Sequence, residues 1–396
     1  MHRRTLLQLA FGAVTQAGRL PAATGIDEVL RSGIARRKVP AVVAMASTAR
    51  ETLYTGAFGV RDSGGTPVTA ASIFSIASMT KAVTTVAALQ LVEQGKVTLE
   101  EPVARRLPQL AKLDVLDGFD SAGKPILRPS RTPVTLKHLL THTSGFCYDI
   151  WDENAFRYTS QAHSAAVGPL MFEPGTRWQY GQGCDWAGRL VESVSGMTLE
   201  DYFQARIFRP LGMVDTSYLL PDSKFDRLVT RWNRDRAGLL QPADRAMPKP
   251  PASFNGGGGL YSTAADYTRF MQMILDKGQD ILQPKTVERM MVNQIGSATA
   301  GKMRSFQPDV SADVDMQPGA VEKWGLGFLI NPTAYPGGRA AGSLAWAGLN
   351  NTFYWIDPKS SLCAVILMQF LPFVDQDAIG MLNDFEHAVY ASRRSA

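Results

Sequence analysis

Residues 74–81 read Phe74-Ser75-Ile76-Ala77-Ser78-Met79-Thr80-Lys81, and a helical pattern of apolar residues follows them as far as Gly95. Ser78 and Lys81 are three residues apart where that pattern begins, so on a helix their side chains share one face. The free N–H groups of a first helical turn also point toward any negative charge that develops beside them. This combination predicts a serine nucleophile that forms an acyl-enzyme, with an amine within reach of its hydroxyl.

The surroundings of Lys81 give this motif its weight. A serine three residues before a lysine recurs by chance, and it is also typical of an exposed capping serine near a solvated lysine. Here apolar residues surround Ser78, and no carboxylate follows Lys81 in the chain before Glu93. Because burial without a partner disfavours the ammonium form, we expect a desolvated Lys81 with a pKa below its usual value.

Composition limits the classes of protein to consider. The chain has 396 residues, 45% of them apolar, enough for a large core and for either two domains or one domain with a large insertion. Its formal net charge of +5 is modest. No run of lysine and arginine is interleaved with aromatic residues, so we expect no nucleic-acid partner. No run of 18 apolar residues occurs, so we expect no membrane span. Three widely spaced cysteines and no clustered histidines argue against a disulfide framework and against a metal site, and we expect no organic cofactor.

The first residues allow two interpretations. Arg3 and Arg4 precede a mildly apolar stretch and small residues, a pattern that resembles a twin-arginine export signal. The same residues 1–23 also fit a basic, flexible tail, because the apolar stretch is short and has no clear cleavage site. A working signal would place the protein in the periplasm, and otherwise we expect it in the cytoplasm.

The two ends of the chain predict one sheet. Short runs typical of strands occur at 41–47, 52–59, 325–330, 343–347, 352–356 and 363–369, with helices predicted at 26–36 and 378–392. The middle of the chain is rich in loops around helices predicted at 136–141 and 185–195. We therefore expect an α/β protein of the α+β type, with an antiparallel sheet domain (24–99 and 251–396) and a mostly helical domain (100–250).

Two further segments could complete a site between these domains. Tyr180 and Gln182 lie in a turn before the predicted helix 185–195, and a phenol beside Lys81 could relay the proton of Ser78. An ordinary buried aromatic residue would explain Tyr180 equally well.

The second segment is Trp346-Ala347-Gly348-Leu349, on a predicted strand. Gly348 would let the backbone approach closely, so that the N–H groups of Leu349 and Ser78 could form an oxyanion site. A tryptophan in the core beside an edge glycine is the structural alternative.

Taken together and in this order, the three segments resemble the family VIII carboxylesterases, serine esterases with the fold of class C β-lactamases and penicillin-binding proteins. The likeness extends from about residue 26 onward and includes the segments 139–146, 257–266 and 324–327. It implies a β-lactamase-like fold, with Ser78 as nucleophile, Lys81 and Tyr180 sharing the role of acylation base, and Ser78 and Leu349 supplying the oxyanion amides.

Two positions depart from the β-lactamase pattern. Gln182 stands where those enzymes carry an asparagine, and Trp346-Ala347-Gly348 replaces their Lys-Thr-Gly. Loss of that lysine removes a charged contact to the substrate carboxylate, a contact worth about 1.5–3 kcal/mol. An uncharged, aromatic site favours neutral esters.

These observations predict a serine carboxylesterase that acts on short-chain acyl esters, with a small-molecule ester as its partner and weak activity on β-lactams or cephalosporin esters. Neither a Gly-x-Ser-x-Gly elbow nor a suitably placed histidine base is present for a conventional esterase. The alternatives are a β-lactamase, a D-amino-acid peptidase or penicillin-binding enzyme, an acyltransferase, and a non-catalytic module that senses peptidoglycan. The predicted substrate-binding residues are Gln182, Trp346, Ala347, Gly348, Phe146, Tyr148 and Trp151.

Overall fold

The computed structural model describes residues 21–161 and 167–394. The predicted signal segment therefore lies outside the described residues, except where the first helix begins at Pro21. The α-helices are α1 (Pro21–Arg37), α2 (Thr80–Glu93), α3 (Leu136–Leu140), α4 (Glu153–Thr159), α5 (Gly183–Ser195), α6 (Leu199–Phe203), α7 (Arg209–Leu211), α8 (Ala264–Leu275), α9 (Pro284–Met290) and α10 (Gln376–Arg394). Among the described residues, no helix combines the length and the apolar content that crossing a bilayer requires.

The strands form one large sheet and three small ones. They are β1 (Ala41–Ser47), β2 (Thr52–Gly59), β3 (Phe74–Ser75), β4 (Asp114–Phe119), β5 (Pro125–Pro129), β6 (Trp232–Arg234), β7 (Leu240–Pro242), β8 (Tyr261–Ser262), β9 (Lys323–Trp324), β10 (Leu329–Asn331), β11 (Ser343–Gly348), β12 (Thr352–Asp357), β13 (Leu362–Leu367) and β14 (Phe370–Leu371). The large sheet is antiparallel in the order β2-β1-β13-β12-β11-β10-β9. It joins strands from both ends of the chain, which confirms the predicted fold class.

Helices cover both faces of this sheet, and β12 shows why. Successive side chains of a strand point to opposite faces. Tyr354 packs against Tyr267 of α8, with ring centroids 5.0 Å apart, whereas Trp355 packs against Phe385 of α10 at 5.6 Å. Because both faces are covered, β11, β12 and β13 are buried along their whole length and most of their residues are apolar.

The sequence predicted some of these elements better than others. The bounds of β1 and β2 match their predicted ranges. The predicted strand 325–330 is wrong as a single element, because the chain turns at Gly327, whose φ is +81°, so that residues 325–328 connect β9 to β10 and only the end of the run lies in β10. The middle of the chain contains helices, as expected, but also the hairpin β4–β5 and the strands β6 and β7. The domain ranges remain a prediction.

A buried ion pair joins α10 to the loop that connects β10 and β11. Arg339 and Glu386 are 5% and 2% exposed, and the guanidinium donates to both carboxylate oxygens, at 3.0 and 2.5 Å. The Arg339 N–H also donates to Glu386, at 2.9 Å. Burial would raise the pKa of Glu386, but Arg339 outweighs burial and holds the pKa below its usual value.

Replacing one partner of this pair should destabilise the fold strongly. Glu386→Ala leaves the Arg339 charge buried and unpaired, which should lower the free energy of unfolding by about 3–5 kcal/mol. Urea denaturation at neutral pH measures the change. Asp384→Ala on the same helix is the control, because Asp384 pairs with Arg36 and Arg37 near the surface and such pairs contribute about 1 kcal/mol or less. Equal losses in the two variants would contradict this account.

Candidate active site

Ser78 lies in a single 3₁₀ turn, Ala77–Met79, directly before α2. Ala77 has a φ of +44°, a value that residues with a side chain rarely adopt. Met79 is fully buried, and its carbonyl accepts a hydrogen bond from Tyr267 at 3.0 Å. The turn is thus held to the core on one side, while Ser78 remains partly exposed.

Lys81 follows in the first turn of α2 and is 1% exposed. Its Nζ donates to Ser78 Oγ at 3.1 Å, to Tyr148 OH at 3.2 Å and to the Gly257 carbonyl oxygen at 2.6 Å. An ammonium group has three N–H donors, so these contacts use all of them. The geometry suits a charged amine.

A carboxylate from another part of the chain faces this amine. Asp185, in the first turn of α5, accepts hydrogen bonds from Tyr148 OH at 3.0 Å and from Gly257 N at 2.9 Å. Burial by itself would lower the pKa of Lys81, but the ionisable Tyr180 and Asp185 outweigh it and raise the pKa above its usual value. The predicted lowering of the Lys81 pKa is therefore wrong, because the counter-charge comes from a distant segment.

Tyr180 is 2% exposed and lies on the other side of the amine. The Lys81 Nζ is 4.8 Å from the centroid of its ring. The hydroxyl of Tyr180 accepts a hydrogen bond from Trp346 Nε1 at 3.0 Å. Trp346 was predicted to bind substrate, yet its indole N–H is directed at Tyr180, where it supports negative charge on the phenol oxygen.

His142 supports Tyr180 from below. The two rings are 4.7 Å apart, and the Nδ1 of His142 accepts a hydrogen bond from Gly181 N at 3.4 Å. Burial and then the charge of Lys81 hold the pKa of His142 well below its usual value, so the ring stays neutral. His142 is therefore a structural residue that packs beneath Tyr180.

The end of β11 contacts the segment before Ser78. A Cβ atom at Gly348 would lie 2.3 Å from the Ile76 carbonyl oxygen, so only glycine allows this approach. The next contact is from Asn350, whose Nδ2 donates to the Ser75 carbonyl at 3.1 Å. Leu349 lies between these two contacts, with its backbone beside the turn that carries Ser78.

Tyr148, Trp151 and Ala347 were also predicted to bind substrate, and the structure gives each of them different contacts. Tyr148 is not a simple wall, because its hydroxyl bridges Lys81 and Asp185. Trp151 packs on Tyr180 with ring centroids 5.4 Å apart and donates its N–H to Ser311. Ala347 is buried on the sheet face opposite to Trp346, so its side chain points away from Tyr180.

Phe146 and Gln182 border a cavity of about 260 Å³ beside the site. Its lining includes the side chains of Cys147, Tyr158, Met171 and Trp186. Gln182 begins α5 with an exposed side chain, and its N–H donates to the Phe146 carbonyl. The cavity offers apolar and aromatic surface next to the predicted acyl-transfer centre.

The three cysteines are free and buried. Cys184 lies next to Asp185 and close to the charge of Lys81, yet burial raises its thiol pKa to about 12.

Sequence reasoning missed Asp185 and Gly257. Nothing in the pattern around Lys81 points to either, since Asp185 is more than 100 positions further along the chain. The available signal was an acidic residue in the first turn of a predicted helix, close after Tyr180. Such residues usually serve only the helix dipole.

Comparison with known proteins agrees with this fold. Residues 26–386 match the family model described as Beta-lactamase. The chain is 33% identical to monacolin J acid methylbutanoyltransferase from Aspergillus terreus, over 92% of this chain and 95% of the relative. It is also 33% identical to lovastatin esterase from Penicillium rubens, over 80% of this chain and 85% of the relative. The structure of unliganded simvastatin synthase from Aspergillus terreus superposes with a TM-score of 0.85 at 31% identity, over 96% of this chain and 100% of that one.

The fold and these matches define an enzyme of the serine hydrolase and acyltransferase class. More particularly, the chain belongs to the beta-lactamase family.

The contact between β11 and the Ser78 turn can be tested through Gly348. Gly348→Ala places a methyl group against Ile76 and should displace Leu349, so that labelling of Ser78 by a fluorophosphonate slows at least about tenfold. Labelling is followed by peptide mass spectrometry, and circular dichroism confirms that the variant is folded.

Gly25→Ala serves as the control, because a Cβ at Gly25 in α1 meets no atom within 4 Å. It should label at the wild-type rate and keep or gain stability. A folded Gly348→Ala variant that labels at the wild-type rate would remove Leu349 from the proposed site.

Proposed function

We propose that this chain is an acyltransferase that carries an acyl group on Ser78 and passes it to an alcohol. The observation on which the proposal rests is the 3.1 Å contact between Lys81 Nζ and Ser78 Oγ in a buried, aromatic site. Transfer to an alcohol is favoured over hydrolysis as the main activity because relatives that span nearly the whole chain are named as acyltransferases.

The contacts support different roles for Lys81 and Tyr180, with Lys81 as a hydrogen-bond donor and Tyr180 as the proton acceptor. A charged Lys81 has no lone pair to accept a proton, so it acts as a hydrogen-bond donor to the Ser78 oxygen. Tyr180, acting as a phenolate, is then the group that takes the Ser78 proton and becomes a neutral phenol as the Oγ–acyl bond forms. It returns the proton to the oxygen or sulfur of the leaving group as the bond from the acyl carbon to that atom breaks.

The second half of the reaction reverses these steps. An alcohol gives its proton to Tyr180 while its oxygen attacks the acyl carbon, and Ser78 recovers a proton as its ester bond breaks. The N–H groups of Ser78 and Leu349 would hold the oxyanion in both halves. Each such donor is typically worth about 3 kcal/mol of the barrier.

The site favours neutral substrates. Trp346 occupies the position of the β-lactamase lysine, and its N–H is engaged by Tyr180. A β-lactam carboxylate would therefore meet no ammonium group at this position, and we expect only weak β-lactam turnover.

Hydrolysis is the second candidate, and lovastatin esterase among the relatives specifically favours it. The resemblance to family VIII carboxylesterases points the same way. Water and an alcohol would compete for one acyl-enzyme, so the two activities differ in the acceptor and not in the first step.

Product partition separates these functions. Nitrophenyl esters of increasing chain length are incubated with the enzyme and rising concentrations of a primary alcohol or an alicyclic alcohol. An acyltransferase diverts most of the acyl group into the new ester, whereas an esterase releases free acid throughout. Ser78→Ala should abolish both products and fluorophosphonate labelling. A folded wild-type protein without labelling at Ser78 would instead support the non-catalytic sensor.

The hydrogen bond from Trp346 to Tyr180 should affect turnover. Trp346→Phe keeps an aromatic ring but removes the N–H donor, which should lower kcat roughly 10- to 100-fold with little change in KM, because such bonds to charged groups are worth about 1.5–3 kcal/mol. Steady-state kinetics on a nitrophenyl ester measures the effect.

The matched control is Trp324→Phe. Its indole packs on Trp346 but donates to the Leu140 carbonyl, at 3.1 Å. Both changes therefore remove one buried indole N–H near the site, and only the first removes a bond to Tyr180. If the two variants lose kcat equally, the bond to Tyr180 has no special role.

A further inference from the structure

Asp185 has two connections to Lys81, and both are complete hydrogen-bond paths. One runs through a side chain: Asp185 Oδ2 accepts from Tyr148 OH, and Tyr148 OH accepts from Lys81 Nζ. The other runs through a peptide: Asp185 Oδ1 accepts from Gly257 N, and the carbonyl of Gly257 accepts from Lys81 Nζ. Each oxygen of the Asp185 carboxylate thus accepts a hydrogen bond from a different group, and each of those groups in turn accepts a hydrogen bond from Lys81 Nζ.

Two local features favour this arrangement of Asp185 and the Gly257 peptide. A Cβ atom at Gly257 would lie 2.4 Å from Asp185 Oδ1, so the peptide can reach the carboxylate only without a side chain. Asp185 also lies in the first turn of α5, where a negative charge is stabilised by the helix dipole.

The ionisable groups that face Lys81 come from several elements, and Asp185 is the carboxylate among them. The ionisable groups near Lys81 are Tyr148, Tyr180, Cys184, Asp185 and His142. Burial, reinforced by Asp185, raises the pKa of Tyr148 well above its usual value, and burial raises the pKa of Cys184 to about 12. Burial holds the pKa of His142 well below its usual value. At neutral pH these three groups are uncharged, which leaves Tyr180 and Asp185 as the groups that raise the pKa of Lys81. Burial raises the pKa of Asp185, whereas the charge of Lys81 and the hydrogen bonds from Tyr148 and Gly257 N act in the opposite direction and favour its carboxylate form.

We infer that Asp185 is a positioning residue that holds Lys81 as a charged hydrogen-bond donor to Ser78, through Tyr148 and the Gly257 peptide. Asp185 does not touch Ser78, so it acts only through these two groups. This inference deepens the proposed function, because it rests on Ser78 as the acylated residue and names what fixes its amine partner.

The protonation of Lys81 provides a readout that a merely structural role would not change. Asp185→Asn keeps the size of the side chain and an oxygen to accept from Tyr148, but it removes the negative charge. Without that charge the ammonium is less stable, so the pKa of Lys81 falls. Because the ammonium is the active form, the alkaline limb of kcat/KM should move to lower pH by one unit or more.

The titration of Lys81 is observed directly by NMR, with ¹³C-labelled lysine and the signal assigned through Lys81→Arg. In the wild type the signal should be that of an ammonium at neutral pH, and in Asp185→Asn its midpoint should fall in step with the kinetic limb. Tyr148→Phe removes only one of the two paths and keeps the charge, so its midpoint should move less.

Glu288→Gln on α9 is the control, since it removes one negative charge at an exposed position of the same protein. It should leave both the midpoint and the pH profile unchanged. A neutral Lys81 in the wild type, or an unchanged midpoint in folded Asp185→Asn, would overturn the inference. If Asp185→Asn does not fold, an unshifted midpoint in Tyr148→Phe overturns it instead.

These outcomes are distinguishable from failure of the proposed function. If the wild type forms no acyl-enzyme, fluorophosphonate labelling and ester turnover are absent, but the NMR titration of Lys81 still shows whether Asp185 controls its charge.

Discussion

A buried ammonium group dominates the architecture of this site. Removing a charge from water costs several kcal/mol unless the protein supplies acceptors and a counter-charge. Lys81 obtains both from parts of the chain that are far apart in sequence: Tyr148 from a loop before α4, Asp185 from α5, and Gly257 from the turn before β8. Segments far apart in the chain therefore meet around one charge, and misplacing any of them would leave that charge unsatisfied.

The sheet contributes to the same centre through β11. Trp346 donates to Tyr180 from one face of the strand, and two residues later Gly348 packs its backbone against Ile76. Because a strand is rigid along its length, the positions of Tyr180 and of the Ser78 turn are linked through this short segment. A site made from loops alone would tolerate more variation.

The sequence predicted elements and contacts correctly where neighbouring residues in the chain determine them. The bounds of β1 and β2 follow from a compact run of β-forming residues, and Ser78 and Lys81 are neighbours because three residues of helix bring them together. The run 325–330 was misjudged because a single glycine conformation reverses the chain inside it.

The charge of Lys81 could not be predicted in the same way. The pKa of Lys81 depends on Tyr180 and Asp185, and Asp185 is linked to the amine through Tyr148 only after the chain has folded back across more than 100 residues. Tyr148 was likewise recognised as an aromatic wall, since no feature of its own segment indicates that its hydroxyl joins Lys81 to Asp185. The identity of a contact within a helix can be read from spacing, whereas a contact between segments depends on the tertiary fold.

The burial of Cys184 has a consequence for the fidelity of the reaction. Sulfur is a stronger nucleophile than a serine oxygen once it is ionised, so an accessible thiolate close to the serine that we propose is acylated would take over the acyl group and hold it as a thioester on the cysteine, freeing the serine oxygen. With a thiol pKa of about 12, Cys184 is ionised in only roughly one molecule in 100,000 at neutral pH. The enzyme can thus keep a sulfur atom beside its active centre without diverting the acyl group from oxygen.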